Sequence, residues 1–359
     1  MDLDKCTNHH KIDGSGIINL IEELPNQIEM VWDQLSKIVL AANYINVKNI
    51  HIIYPPEDYL ANELISPLAS VLKLPVYFNN LPSNVNGESL IIASSFYGDD
   101  ENIIRMTHHA AKLGGKLFIV STGGELASLV NKYRCPAYIY RPGAMDIYSI
   151  AFPPITLFYL LHKLRWIEYK DEIEELLLLL RGLIQNIKPE IATEKNIAKQ
   201  AAVLLSNKIP IIVGSKISLP VINRLSAMLS INSKSLSFGY SINQFRANQI
   251  YKYASPEKLI NSLFFLIFNS RHNNSADHIE LLSACQILEK RRMRYESIAI
   301  QPGGTILSEL FQGVLLSDFI AYYSSILNDC DPADYVFKEQ FDNMVDSNIG
   351  HKIRKGGIK

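Results

Sequence analysis

The sequence predicts an α/β protein built from two doubly wound units, each a mostly parallel five-stranded sheet flanked by helices. Three observations carry that expectation. From Glu88 to Tyr133 an apolar run, a small polar turn and a helix-period segment occur twice in succession. The same plan returns after Ile209. A chain of 359 residues also exceeds what one ordinary core accommodates.

The elements follow in order. Residues 12–24 read as a helix capped by Ser15, and Pro25 opens a second helix reaching Ala42. Ile50 to Tyr54 is a buried strand, followed by Pro55-Pro56-Glu57-Asp58 and a helix from Tyr59 to Leu72. Pro75 to Phe78 is a short strand. Leu90 to Ala93 and Lys116 to Val120 are the buried strands of the repeated unit, and Ala137 to Tyr140 is a fifth. Asp99, Asp100 and Glu101 sit where a helix should begin, and acidic side chains suit the positive end of its dipole. Residues 150–207 carry only helical patterns. Beyond them, Ile209 to Val213, Ser235 to Phe238, Leu263 to Ile267 and Ser297 to Ile300 are strand candidates. Gly303 to Leu327 is a long apolar helical stretch with an expected break near Gly313. The domains expected are 1–150, a helical bridge over 151–207, 208–345, and a disordered tail over 346–359.

Composition narrows the function. Lys+Arg 35 against Asp+Glu 36 gives no basic surplus for nucleic acid or an anionic membrane. Cys6, Cys135, Cys285 and Cys330 are scattered, without metal-ligand spacing, so the expectation is reduced thiols, no metal and no cofactor. The polar N-terminus argues against a signal peptide, and the apolar runs Ile150 to Leu161 and Leu176 to Ile184 fall short of the ~20 residues that span a bilayer. The expected location is the cytoplasm. His9-His10 reads as part of a mobile terminus, and His108-His109 as helix surface, since adjacent helical positions point about 100° apart.

Four stretches carry a resemblance to a known family. They are IDGSGIINLIEELPNQIEMVW, LIIASSFYGDDENI, IVSTGGELASL and LLSDFIAYYSSILNDCDPADY. In this order they resemble the bifunctional phosphoglucose/phosphomannose isomerases of the sugar isomerase (SIS) superfamily. The resemblance implies two SIS domains, a dimer with active sites built across it, and interconversion of phosphorylated aldoses and ketoses through an enediolate. It also implies that phosphate is held by a Gly-Ser loop and a Ser-x-Ser-x-x-Thr loop. By that alignment Ser95, Gly98, Ser121, Thr122, Gly123 and Gly124 are sugar- or phosphate-binding candidates, with Arg141 as a stand-in for the family arginine. The turn requirement alone also accounts for these residues, and the sequence leaves both readings open.

The chain departs from the family at its chemical positions. The first loop reads YPPED, where two prolines offer no N–H and two carboxylates repel a phosphate. Tyr97 and Asp100 stand where the second loop has Ser and Thr. The proton-transfer Glu aligns near Ile231, the ring-opening His with Ala247, and the C-terminal Lys near Asp342. Loss of such groups typically costs ~100- to 10,000-fold each. The favoured expectation is a family member without catalysis, acting as a sugar-phosphate-binding or structural or regulatory subunit, and no catalytic residue is assigned. The alternative is a divergent isomerase using Arg141, Lys234, Arg246 and Lys338 as replacement charges. The partners expected are a phosphorylated sugar or related small anion, and a second subunit, either a copy of the chain or an active relative. The basic segment Lys290 to Arg294 reads as a solvated helix end or as an attractor of an acidic partner.

Overall fold

The computed structural model describes residues 2–69, 72, 74–81, 85–141, 146–167, 171–249, 257–298 and 303–355. The first unit begins with α1 (Cys6–Ile12), α2 (Ile17–Glu22) and α3 (Leu24–Ser36), then β1 (Asn49–Ile53). Next come α4 (Tyr59–Glu63), α5 (Ile65–Ala69), β2 (Val76–Phe78), β3 (Ser89–Ser95), α6 (Glu101–Lys112), β4 (Lys116–Ser121), α7 (Gly124–Tyr133) and β5 (Ala137–Ile139). The five strands are parallel in the order β2-β1-β3-β4-β5. Bridging helices α8 (Phe152–Lys163), α9 (Glu172–Ile187) and α10 (Ile197–Leu205) lead into the second unit. That unit holds β6 (Ile209–Gly214), α11 (Leu219–Ser233), β7 (Phe238–Ser241), α12 (Ile242–Gln244), α13 (Glu257–Ile260), β8 (Leu263–Phe268), α14 (Ser275–Lys290) and β9 (Tyr295–Ile298). Helices α15 (Ile306–Leu327) and α16 (Val336–Lys355) close the chain.

Several expectations are corrected. The second sheet has four strands among the described residues, not five, in the parallel order β7-β6-β8-β9. Among the described residues the element that follows β9 is the core helix α15. Ser15 does not cap α2. Asp13 does, accepting from the N–H groups of Ile17 at 2.8 Å and Ile18 at 3.0 Å. The helix expected over 59–72 divides after Glu63, because Pro67 has no N–H for the Glu63 carbonyl. Helix α15 runs through Gly313 without a break, and α16 extends into the segment expected to be disordered. Ala299-Ile300 and residues 356–359 lie outside the described residues.

The N-terminus is also fixed, not mobile. His9 is buried, and burial pushes its imidazole pKa down toward the neutral form. Its Nε2–H then donates to the Leu3 carbonyl at 2.8 Å, and its Nδ1 accepts from the Tyr322 hydroxyl at 3.3 Å. Lys199 Nζ, fully buried, donates to Asp4 Oδ1 at 2.9 Å and the Pro189 carbonyl at 2.8 Å.

One continuous apolar core joins both sheets, and α15 passes through its middle. This helix has the length and hydropathy to cross a membrane, but its apolar window is 94% buried within the chain. Outer faces of the sheets make smaller clusters, the first with α6 and α7, the second with α14. Midway along α15, Asp318 is buried. Arg224 of α11 meets it with two bonds, Nε to Oδ1 at 2.7 Å and Nη2 to Oδ2 at 2.8 Å. The third arm, Nη1, donates to the Ile147 carbonyl at 2.8 Å, tying the segment between the two units to both helices. Burial pushes the Asp318 carboxyl up and the guanidinium opposes it.

Removing one partner of such a pair leaves an uncompensated buried charge and costs about 3–5 kcal/mol. Asp318→Asn should therefore lower unfolding free energy by that order in urea titrations. The double change Arg224→Met with Asp318→Leu should recover most of the loss. Recovery in the double variant distinguishes the charge penalty from simple packing.

Candidate functional site

Strands β3 and β4 end side by side, with Ser95 opposite Ser121 in register. Both serines are buried, and their hydroxyls are used locally. Ser95 Oγ accepts from the Gly98 N–H at 3.1 Å, and Ser121 Oγ accepts from the Gly123 N–H at 3.3 Å. Thr122 donates its N–H and its hydroxyl to the Phe96 carbonyl, at 3.0 and 2.7 Å. The two turns thus interlock, with Leu126 N–H donating to the Gly98 carbonyl at 2.8 Å. Glycine is required at two points. Gly98 has φ +80° and a Cβ there would lie 2.1 Å from the Gly123 carbonyl oxygen; Gly124 has φ +67° and would meet the Tyr97 carbonyl oxygen at 2.5 Å.

Carboxylates occupy amides at this strand end. Asp58 Oδ2 accepts from the Phe96 N–H at 2.8 Å, across from the end of β1. Asp99 Oδ1 accepts from Glu125 N–H at 2.9 Å at the start of α7. Asp100 Oδ1 accepts from Ile103 N–H at 2.8 Å and caps α6. A helix N-terminus attracts anions through its free N–H groups and its dipole, and here side-chain carboxylates already supply the negative charge. Among the described residues no group of three or more His, Cys, Asp or Glu is placed to hold a metal ion.

Burial pushes the Asp58 carboxyl up to about 6, against the Phe96 N–H bond, and Glu57, Asp146 and Asp100 add repulsion. Tyr97 is exposed at the rim and donates to Asp146 Oδ2 at 3.4 Å. It does not fill the site. Tyr148 donates to the buried Asn232 Oδ1 at 3.1 Å, one residue beyond Ile231, and burial drives the Tyr148 hydroxyl far above its usual range.

The replacement cations do not converge. Lys338 pairs with Asp342 at 2.5 Å. Lys234 Nζ donates to the Ile231 and Asp334 carbonyls at 2.6 and 2.7 Å. Arg246 pairs with Glu280 on α14, on the outer face of the second sheet. Arg141 is exposed, with no hydrogen bond or ion pair to the described residues. Sequence reasoning missed the place of Asp146, which the fold brings to the Tyr97 hydroxyl from 49 residues away. The acidic YPPED turn was the one visible signal for Asp58.

Comparison with known proteins shows what the chain is similar to. Residues 194–337 match the family model described as the bacterial phospho-glucose isomerase C-terminal SIS domain. The bifunctional phosphoglucose/phosphomannose isomerase of Caldicellulosiruptor bescii is 28% identical over 265 residues, covering 72% of this chain and 78% of that one. Its counterpart from Thermoplasma acidophilum is 20% identical over 71% of this chain and 76% of its own. Among solved structures, a glucose-6-phosphate isomerase like protein from Thermus thermophilus superposes with a TM-score of 0.58 at 15% identity, covering 93% of this chain and 98% of that one.

Asp58 gives a pH prediction. Its folded pKa of about 6 lies above its ordinary 3.8. Its stabilising contribution is therefore full below about pH 3.8 and is lost as pH rises through about 6. With partial solvent screening the loss is on the order of 2 kcal/mol by pH 7. Asp58→Asn, which keeps an acceptor for Phe96, should be more stable than wild type in urea at pH 7, with the advantage vanishing near pH 4. A variant equally or less stable at pH 7 contradicts the assignment.

Proposed function

We propose, from the premise that this chain is a sugar isomerase (SIS) relative of the bifunctional phosphoglucose/phosphomannose isomerases, that it is a non-catalytic member serving as a structural or regulatory subunit. The observation that carries the proposal is the set of three carboxylates on loop and helix-terminal amides: Asp58 on Phe96, Asp99 on Glu125 and Asp100 on Ile103. A phosphate entering that strand end meets negative charge and fewer free donors. Repulsion between unit charges at ~4 Å is about 1 kcal/mol in water and several times larger where water is thinned. At the aligned catalytic positions, Ile231 and Ala247 supply no proton-transfer group. As a subunit the chain is proposed to pair with a copy of itself or with an active relative.

A second reading has one feature in its favour. Asp58 is a carboxyl poised near pH 6, which suits proton transfer in a divergent aldose–ketose isomerase.

Isomerisation of fructose 6-phosphate by the purified full chain separates the two. The expected result is no turnover above the uncatalysed rate, and no calorimetric binding of glucose 6-phosphate at millimolar concentration. The combined variant Asp58→Ser, Tyr97→Ser and Asp100→Thr restores hydroxyls and removes two charges. It should gain measurable phosphate binding without gaining isomerisation. Turnover by the wild-type chain within a few-fold of an active family member overturns the proposal.

A further inference from the structure

The two sheets are built in the same order, but among the described residues the second has one strand fewer. In the first sheet β5 lies beside β4. The equivalent place beside β9 has no strand among the described residues. In the β8–β9 ladder the Arg294 carbonyl accepts from Phe265 N–H at 3.0 Å and the Ile298 carbonyl accepts from Asn269 N–H at 3.2 Å. In a parallel ladder alternate residues bond to one neighbour. The N–H and C=O groups of Tyr295 and Ser297 therefore face the outer edge, a ready template for an added strand.

A groove opens at the start of this edge, with a volume of about 590 Å³. Val203, Leu204, Phe264 and Tyr295 give it an apolar side, and Val203 and Leu204 are exposed at the end of α10. Lys208, Arg292 and Arg294 also line it. Lys290 and Arg291 lie just before them, and none of the four cations from Lys290 to Arg294 has an ion pair among the described residues. Glu289 and Glu296 line it too, so the groove is mixed in charge and basic at its rim. It shares no residue with the Ser95 and Ser121 turns.

We infer that the β9 edge and this groove receive an extended acidic peptide from a protein partner, which adds as a fifth parallel strand. Main-chain bonds to Tyr295 and Ser297 supply affinity. Alternate side chains supply specificity, apolar ones against Val203, Leu204 and Phe264, acidic ones toward Arg292 and Arg294. The charge pattern favours an acidic segment over a second copy's β9, which brings its own Arg291, Arg292 and Arg294.

The test is fluorescence anisotropy of a labelled octapeptide of alternating glutamate and valine, titrated with the full chain. Saturable binding in the micromolar range is expected, weakening about tenfold in the double variant Arg292→Glu, Arg294→Glu, and again as salt rises from about 0.05 to about 0.5 M. Ser297→Pro removes an outward donor without breaking the β8 ladder, so it should abolish binding while circular dichroism stays unchanged. The charge-reversal variant keeps the proposal testable if Ser297→Pro does not fold. The proposal is overturned by no saturable binding up to millimolar protein, by equal binding of a lysine–valine octapeptide, by undiminished binding to folded Ser297→Pro, or by tighter binding of a single-stranded oligonucleotide.

Discussion

A buried carboxylate, Asp318, sits midway along a helix enclosed on all sides, and the rest of the molecule is arranged to answer its charge. Every residue from Leu307 to Ile326 is buried. An ionised group there is tolerable only with a partner that satisfies both oxygens. Arg224 does so from α11, and its Nη1 donates back to the Ile147 carbonyl. One guanidinium thereby ties the second unit's first helix, the central helix and the strand-to-bridge segment of the first unit. That segment also carries Asp146 to Tyr97, at the rim of the first sheet's carboxyl end. The turns of the candidate site are set by the β3–β4 register, and the Arg224 contact fixes the segment that follows β5.

At that site the backbone geometry and the chemistry point in different directions. The interlocked turns around Gly98 and Gly124 have the close approach that lets a loop present its amides. The amides of Phe96, Gly98, Ile103, Gly123 and Glu125 are nevertheless already bonded within the chain. Three of the five acceptors are carboxylates, which place negative charge where a phosphate would bring its own. The turns have a loop geometry, and the charge bonded to their amides is negative.

Much of this is legible from local pattern. The strands of the repeated unit fall within two residues of their expected bounds, since a buried parallel strand is a continuous apolar run between turn residues. Strand β7 begins three residues later than the pattern suggests. Lys234 in the left-handed conformation (φ 56°) ends α11, and the Ser235 N–H closes back on the Leu229 carbonyl, so the serine-rich stretch is spent on a turn. Charge at Asp58 is visible in the sequence, whereas its bond to Phe96 spans 38 residues and has no local signature. The Arg224–Asp318 pair spans 94 residues and is invisible for the same reason. His9 misleads because a polar terminus looks mobile until a helix such as α15 gives it Tyr322 to bond.

The proposed function requires that the amides bonded to Asp58, Asp99 and Asp100 have no affinity for phosphate. The most direct measurement is amide chemical-shift titration with inorganic phosphate, followed at Phe96, Ile103 and Glu125 in the intact chain at neutral pH. These three amides should stay within the shifts caused by chloride at equal ionic strength. A saturable phosphate-specific shift at Phe96 and Ile103 contradicts it.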